Sequence, residues 1–159
     1  MTATKNNSIF KKLGALAMAM CLTCALAVSA SAANVSYGVE FLKADGSSSM
    51  ANNAIAGDAV YDSEANTLTI PIEKSFMMRN HPSTGLLTMF YGCVVGITVD
   101  GTAVGEAEWE ADEIVINDFT PNDTNTYSAT FTVEVRNFWT GEVTVFEDMT
   151  NATATMVLS

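Results

Sequence analysis

The chain has 159 residues, 48% of them hydrophobic and 16% charged, which is enough for one compact domain and short for two. Seven Lys and Arg stand against 18 Asp and Glu, giving a formal charge of −11. Such a charge repels a phosphate backbone and excludes nucleic acid as a main partner.

Lys5, Lys11 and Lys12 precede an uncharged apolar run of sixteen residues, 13–28, and Ala30-Ser31-Ala32 then offers the small-x-small pattern of a signal-peptidase substrate. Residues 1–32 read as a secretory signal peptide, cut after Ala32 with Ala33 as the next choice, and residues 33–159 as one mature domain. The apolar run is shorter than the roughly 20 residues of a spanning helix. Neither Cys21 nor Cys24 follows a lipobox pattern. Without its leader the chain keeps 127 residues, with 4 basic against 18 acidic side chains and a formal charge of −14. That charge suits a soluble extracellular protein that stays monomeric by self-repulsion. Cys93, the one cysteine left, cannot form an internal disulfide, so stability must come from packing. With no second apolar segment and no sortase motif, the expected product has no transmembrane anchor and is released or held by a partner.

Val35, Tyr37, Val39 and Phe41 alternate with Ser36, Gly38, Glu40 and Leu42, the pattern of a strand with one buried face. Residues 43–57 are rich in Asp, Gly, Ser and Asn and predict a loop with a short helical turn near residues 48–53, capped by serine. Residues 59–61 and 67–72 read as strands around a turn at 62–66, and 76–85 as an irregular segment broken by His81-Pro82 and Gly85. Apolar runs at 86–95 and 96–99 lead into Asp100-Gly101, a strong hairpin signal. Glu106, Glu108, Glu110 and Asp112 recur at period two, as on the wet face of a strand. Further strands are predicted at 113–117, 126–135, 142–146 and 152–158, with a turn at 120–125. No segment holds a helical period over ten residues, so the expected fold is all-β: about eight strands in an immunoglobulin-like antiparallel β-sandwich.

The chemistry of hydrolases and metal enzymes is poorly represented. One His and one mature Cys exclude the common zinc sites. His81, beside a proline, has no Gly-x-Ser-x-Gly elbow to serve, and it reads as a solvated loop residue. Asp118, Asn122 and Asp123 have the oxygens for calcium, but Asp and Asn are equally the residues of ordinary turns, and a turn is expected. Cys93, inside an apolar run without a neighbouring cation, reads as a small buried hydrophobe.

The opening Val-Ser-Tyr-Gly-Val-Glu-Phe-Leu strand, the Lys-Ala-Asp-Gly-Ser-Ser-Ser-Met-Ala-Asn loop and the Thr67-Leu68-Thr69-Ile70-Pro71-Ile72 run resemble the start of NEAT domains, the haem-binding near-transporter modules of Gram-positive surfaces. The later strands at 126–135, 142–146 and 152–158 follow in the order that family uses. The resemblance spans nearly the whole mature chain. It implies a sandwich that grips haem between a short helix after the first strand and the hairpin of the last two strands. It also implies a location at the cell surface or in the medium, handover of haem to a partner protein, and no bond-making chemistry, so that the protein is not an enzyme.

One departure bears on the iron. The family commonly ligates it with a Tyr-x-x-x-Tyr motif on the final hairpin, whereas here the stretch is Phe146-Glu147-Asp148-Met149-Thr150-Asn151-Ala152-Thr153. Met50 in the short helix and Met149 on the hairpin become the candidate axial ligands, since thioethers favour reduced iron. Phe76, Met77 and Met78 are candidates for the apolar wall, and Lys43, Ser47, Ser48 and Ser49 for donors to the propionates. The competing expectation is a protein-binding or structural module of the cell surface that keeps the scaffold and has lost haem.

Overall fold

The computed structural model describes residues 34–159, and the leader reading of residues 1–32 lies outside them. Ten strands are described: β1 Val35–Tyr37, β2 Val39–Leu42, β3 Ala59–Asp62, β4 Thr67–Pro71, β5 Ser75–Asn80, β6 Leu87–Val99, β7 Ala103–Glu106, β8 Glu113–Ile116, β9 Thr126–Asn137 and β10 Thr150–Leu158. Two 3-10 turns, Met50–Ala54 and Glu147–Met149, interrupt them. The fold is all-β, and every pairing between these strands is antiparallel. No helix among the described residues is long and apolar enough to cross a membrane.

Strand order runs β1-β3-β4-β8-β7-β6-β9-β10-β2, with β5 on β6 off this path. The two ends of the path, β1 and β2, are consecutive in the chain and separated by Gly38 alone, so one extended segment serves both ends and the sheet comes round nearly closed. Gly38 fastens the junction: its amide donates to the Ser159 carbonyl at 2.8 Å and its carbonyl accepts from the Ser159 amide at 3.0 Å. Near-closure leaves few unpaired strand edges, the usual route to sheet-to-sheet association.

The long β6 organises the rest. Along one edge it pairs first with β5, Ser75 to Asn80 against Gly92 to Leu87, and then with β7. Along its other edge it pairs with β9 through a bulge between Val94 and Gly96. The alternating faces of β4, β6, β8 and β9 supply a core that includes Leu68, Ile70, Ile97, Ile114, Ile116 and Phe131. Phe41 of β2 meets Phe131 edge to face, with ring centroids 4.8 Å apart. A smaller cluster of Phe90, Val135 and Phe146 lies beside Met77, Val133 and Met149.

Three local expectations are corrected. Residues 76–80, read as irregular, lie in β5, because the β6 edge supplies its hydrogen bonds and its side chains alternate regularly in exposure. The acids of residues 106–112 do not form a strand: β7 ends at Glu106, and Ala111 donates to the Glu108 carbonyl in a turn. Residues 142–146 make one bridge, Val143 to Arg136, before Phe146 leaves to fill the Phe90 cluster. β10 therefore pairs with β9 and β2, not with that segment.

Candidate functional site

The first 3-10 turn is fixed against β2 from the side. Ser49 caps it, its hydroxyl accepting from the Ala51 amide at 3.3 Å. The Asn52 amide nitrogen donates to the Phe41 carbonyl at 2.9 Å, and its oxygen accepts from the Phe41 amide at 2.8 Å. Asn52 thereby imitates a neighbouring strand at a β2 edge that no strand among the described residues covers. The Phe41 carbonyl also accepts from the Ser49 amide at 2.8 Å, so the cap and the middle of the turn are bound to one residue.

Across from this turn, the arm from Phe146 to Thr153 is held by a bidentate pair. Arg79 of β5 donates to both carboxylate oxygens of Asp148, at 3.1 and 2.8 Å, and its guanidinium lies 4.8 Å over the Phe146 ring. The Arg79 hydrogen bonds hold the Asp148 carboxyl below the usual carboxylate range. Asn151, at φ +55°, then turns the chain where the β9–β10 register shifts.

Between turn and arm lies a slot of about 250 Å³. Cys93, Val94, Phe131 and Val133 line it from β6 and β9, Met50, Ala51 and Ala54 from the turn, Ser75 and Met77 from β5, and Asp148, Met149, Ala152 and Thr153 from the arm. Gly92 is also in its lining, and here the absence of a side chain matters: a Cβ would stand 2.6 Å from the Met77 methyl. Cys93 is 0% exposed, and burial pushes its thiol above the ordinary value, so it stays protonated at neutral pH. The interior of the slot is mostly hydrocarbon and sulfur, while Lys43 and Asp148 bring charge and Ser49, Ser75 and Thr153 bring hydroxyl groups.

The sequence candidates divide between two surfaces. Lys43, Ser49, Met50, Met77 and Met149 all line the slot. Ser47 does not: its amide and hydroxyl both donate to Asp45 Oδ1, at 2.9 and 2.6 Å, in an exposed loop. Ser48 accepts from the Asn52 side chain at 2.8 Å and serves the turn, not the slot. Phe76 and Met78, 51% and 56% exposed, stand on the other face of β5, because a strand sends neighbouring side chains to opposite sides. Phe76 meets the rings of Tyr91 and Phe138 there, at centroid distances of 6.0 and 6.4 Å.

Sequence reasoning missed Asn52, Asp148 and the lining role of Cys93. The first two carry a local signal, an Asn in a serine-capped turn and an acid before Met149, but their partners lie 11 and 69 residues away.

A wider hollow of about 550 Å³ is open to solvent and lined by Glu106, Glu108, Glu110, Glu134, Trp109 and Arg136. Its aromatic ring is already engaged, with Arg136 at 4.6 Å and Lys74 at 5.2 Å from the Trp109 centroid. The turn at Asn122 is internally satisfied, its side-chain oxygen accepting from Thr124 and Thr126. Among the described residues no three His, Cys, Asp or Glu side chains are grouped to hold a metal. Compared with protein-family models, with curated proteins and with solved structures, the chain matches none.

Proposed function

We propose that the protein binds haem or a related porphyrin in the slot between the first 3-10 turn and the Asp148 arm, and passes it to a partner protein by direct contact. It performs no bond-making chemistry of its own. The observation that carries this reading is the lining: two thioethers, Met50 and Met149, come from different walls of one apolar slot, with Lys43 and Ser49 beside them.

The donor set suits such a ligand. Thioether sulfurs in apolar surroundings favour reduced iron, and haem, when bound, would supply that redox-active centre. Lys43 and Ser49 offer a cation and a hydroxyl to carboxylate groups. At about 250 Å³ the slot falls below the roughly 300–1,000 Å³ of typical small-molecule sites, so the chain would cover part of a macrocycle and leave the rest to solvent or to the receiving partner. Arg79 and Asp148 orient the arm that carries Met149, and Asn52 orients the turn that carries Met50. In this reading the scaffold is an immunoglobulin-like sandwich, exported by the leader of residues 1–32 to a Gram-positive surface or its medium.

Titration of the purified protein with haemin, oxidised and then reduced, tests the reading. A Soret shift at micromolar protein supports it, and an unshifted spectrum in both states removes it.

A second reading rests on the outer face of β5 and the loop after β9. Phe76, Tyr91, Phe138 and Trp139 form a continuous aromatic strip, with Trp139 72% exposed. Exposed aromatic patches mark protein contacts, and the strip would serve a surface module that has no haem. Under this reading Trp139→Ser abolishes capture of an extracellular partner, and Met50→Leu does not.

A further inference from the structure

Residues 34–159 carry seven sulfurs: Met50, Met77, Met78, Met89, Met149, Met156 and Cys93. Three of them, the thioethers of Met50, Met77 and Met149, line one slot, whereas the Cys93 side chain, in register with Glu134, lies on the face of β6 opposite Gly92. They reach it from separate parts of the chain: the 3-10 turn, β5 and the arm. Methionine is a common filler of cores, but a filler is enclosed, and Met50 is 59% exposed at a cavity that remains open.

We propose that the thioethers of Met50, Met77 and Met149 form a binding site for a soft monovalent cation, Cu(I). This stands on the sulfur lining of the slot and does not depend on the porphyrin reading.

Ligand chemistry selects the ion. Soft thioethers bind Cu(I), whereas zinc, calcium and magnesium want imidazole, thiolate or oxygen. The charged oxygens at the slot are engaged, both Asp148 oxygens accepting from Arg79, and the remaining oxygen donors of the lining are neutral hydroxyls of Ser49, Ser75 and Thr153, hard ligands that do not compete with sulfur for Cu(I). The thioethers have no such duty, since sulfur is too weak an acceptor to satisfy a backbone donor well. The slot is too small to enclose a typical organic ligand but ample for one ion among three flexible side chains. The excess of acids, 18 against 4 bases beyond residue 32, makes the surrounding field attractive to a cation.

The test is anaerobic competition for Cu(I) between the purified protein and a chromophoric Cu(I) chelator, with X-ray absorption of the loaded protein. The expected result is one Cu(I) held per chain in a shell of sulfur. Met50→Leu, Met77→Leu and Met149→Leu, close in volume and verified as folded by their urea curves, should each weaken binding by at least the roughly 10–100-fold seen when even supporting residues of metal sites are removed. Met78→Leu and Met89→Leu, on residues outside the slot lining, should bind as the unaltered protein does. Failure to retain Cu(I) against the chelator, a nitrogen or oxygen shell, or equal losses in all five variants overturns the proposal. The haemin titration run alongside separates the two readings: Cu(I) without a Soret shift removes the porphyrin alone, and a Soret shift without Cu(I) removes the copper site alone.

Discussion

The side chain of Asn52 pairs with both backbone groups of Phe41, donating at 2.9 Å and accepting at 2.8 Å, and so occupies the place of a missing strand. Asn52→Ala removes both bonds, together with an exposed bond to the Ser48 hydroxyl that adds little, and leaves the Phe41 amide and one acceptor position without them. At about 0.5–1.5 kcal/mol net for each bond, the loss should be about 1–3 kcal/mol. Urea unfolding should show a lower midpoint at unchanged slope. Asn52→Asp keeps the acceptor but sets a carboxylate oxygen against the Phe41 carbonyl, and should destabilise as well.

Arg79 and Asp148 join β5 to the Met149 arm through an exposed pair, so their value for overall stability is small. Asp148→Asn should cost less than about 1 kcal/mol at neutral pH, measured by the same unfolding curves. The pH dependence has a definite sign. The folded Asp148 carboxyl lies below its ordinary value because Arg79 donates to it, so its contribution is complete above that ordinary value and disappears as pH falls through the depressed one. Unaltered protein and Asp148→Asn should differ by a constant amount above about pH 5 and converge below about pH 4. A difference that grows on acidification would have the wrong sign.

Cys93 is closed off and held as the thiol by burial. A thiol-specific reagent at pH 7 should leave it unmodified in the folded protein, with labelling across a urea series following the unfolding transition. Cys93→Ser puts a hydroxyl in a fully buried position where the thiol donates only a long bond, 3.8 Å, to the Val94 carbonyl, and should destabilise by about 1–3 kcal/mol.

Period-two alternation made β2 to β4, β9 and β10 legible, because each buries one face more than the other, and the same pattern marked β1 although Val35 stays exposed there. It failed at β5, where Phe76, Met77 and Met78 are consecutive apolar residues that conceal the alternation, and where β6 supplies all the strand's pairing. It misled at Glu106 to Asp112, where charge alternates but no partner strand is paired beyond Glu106. The slot was legible in outline, since a serine-capped turn after the first strand and a loop before the last were both visible. Which residues face it was not. Met77 and Met78 are separated by the β5 face, Ser48 and Ser49 by the geometry of one turn, and Asp148 is placed by an arginine 69 residues away. Those distinctions depend on register between distant segments, which composition and local spacing do not encode.

The central claim is that ligands enter between Met50 and Met149. Methyl-labelled methionine resonances, followed by NMR during titration with haemin and separately with anaerobic Cu(I), test it most directly. The account predicts that Met50, Met77 and Met149 shift or broaden with at least one of these ligands while Met78 and the fully buried Met156 hold their positions. Resonances of Met50, Met77 and Met149 that stay fixed under both ligands, or perturbation centred on Met78, would contradict it.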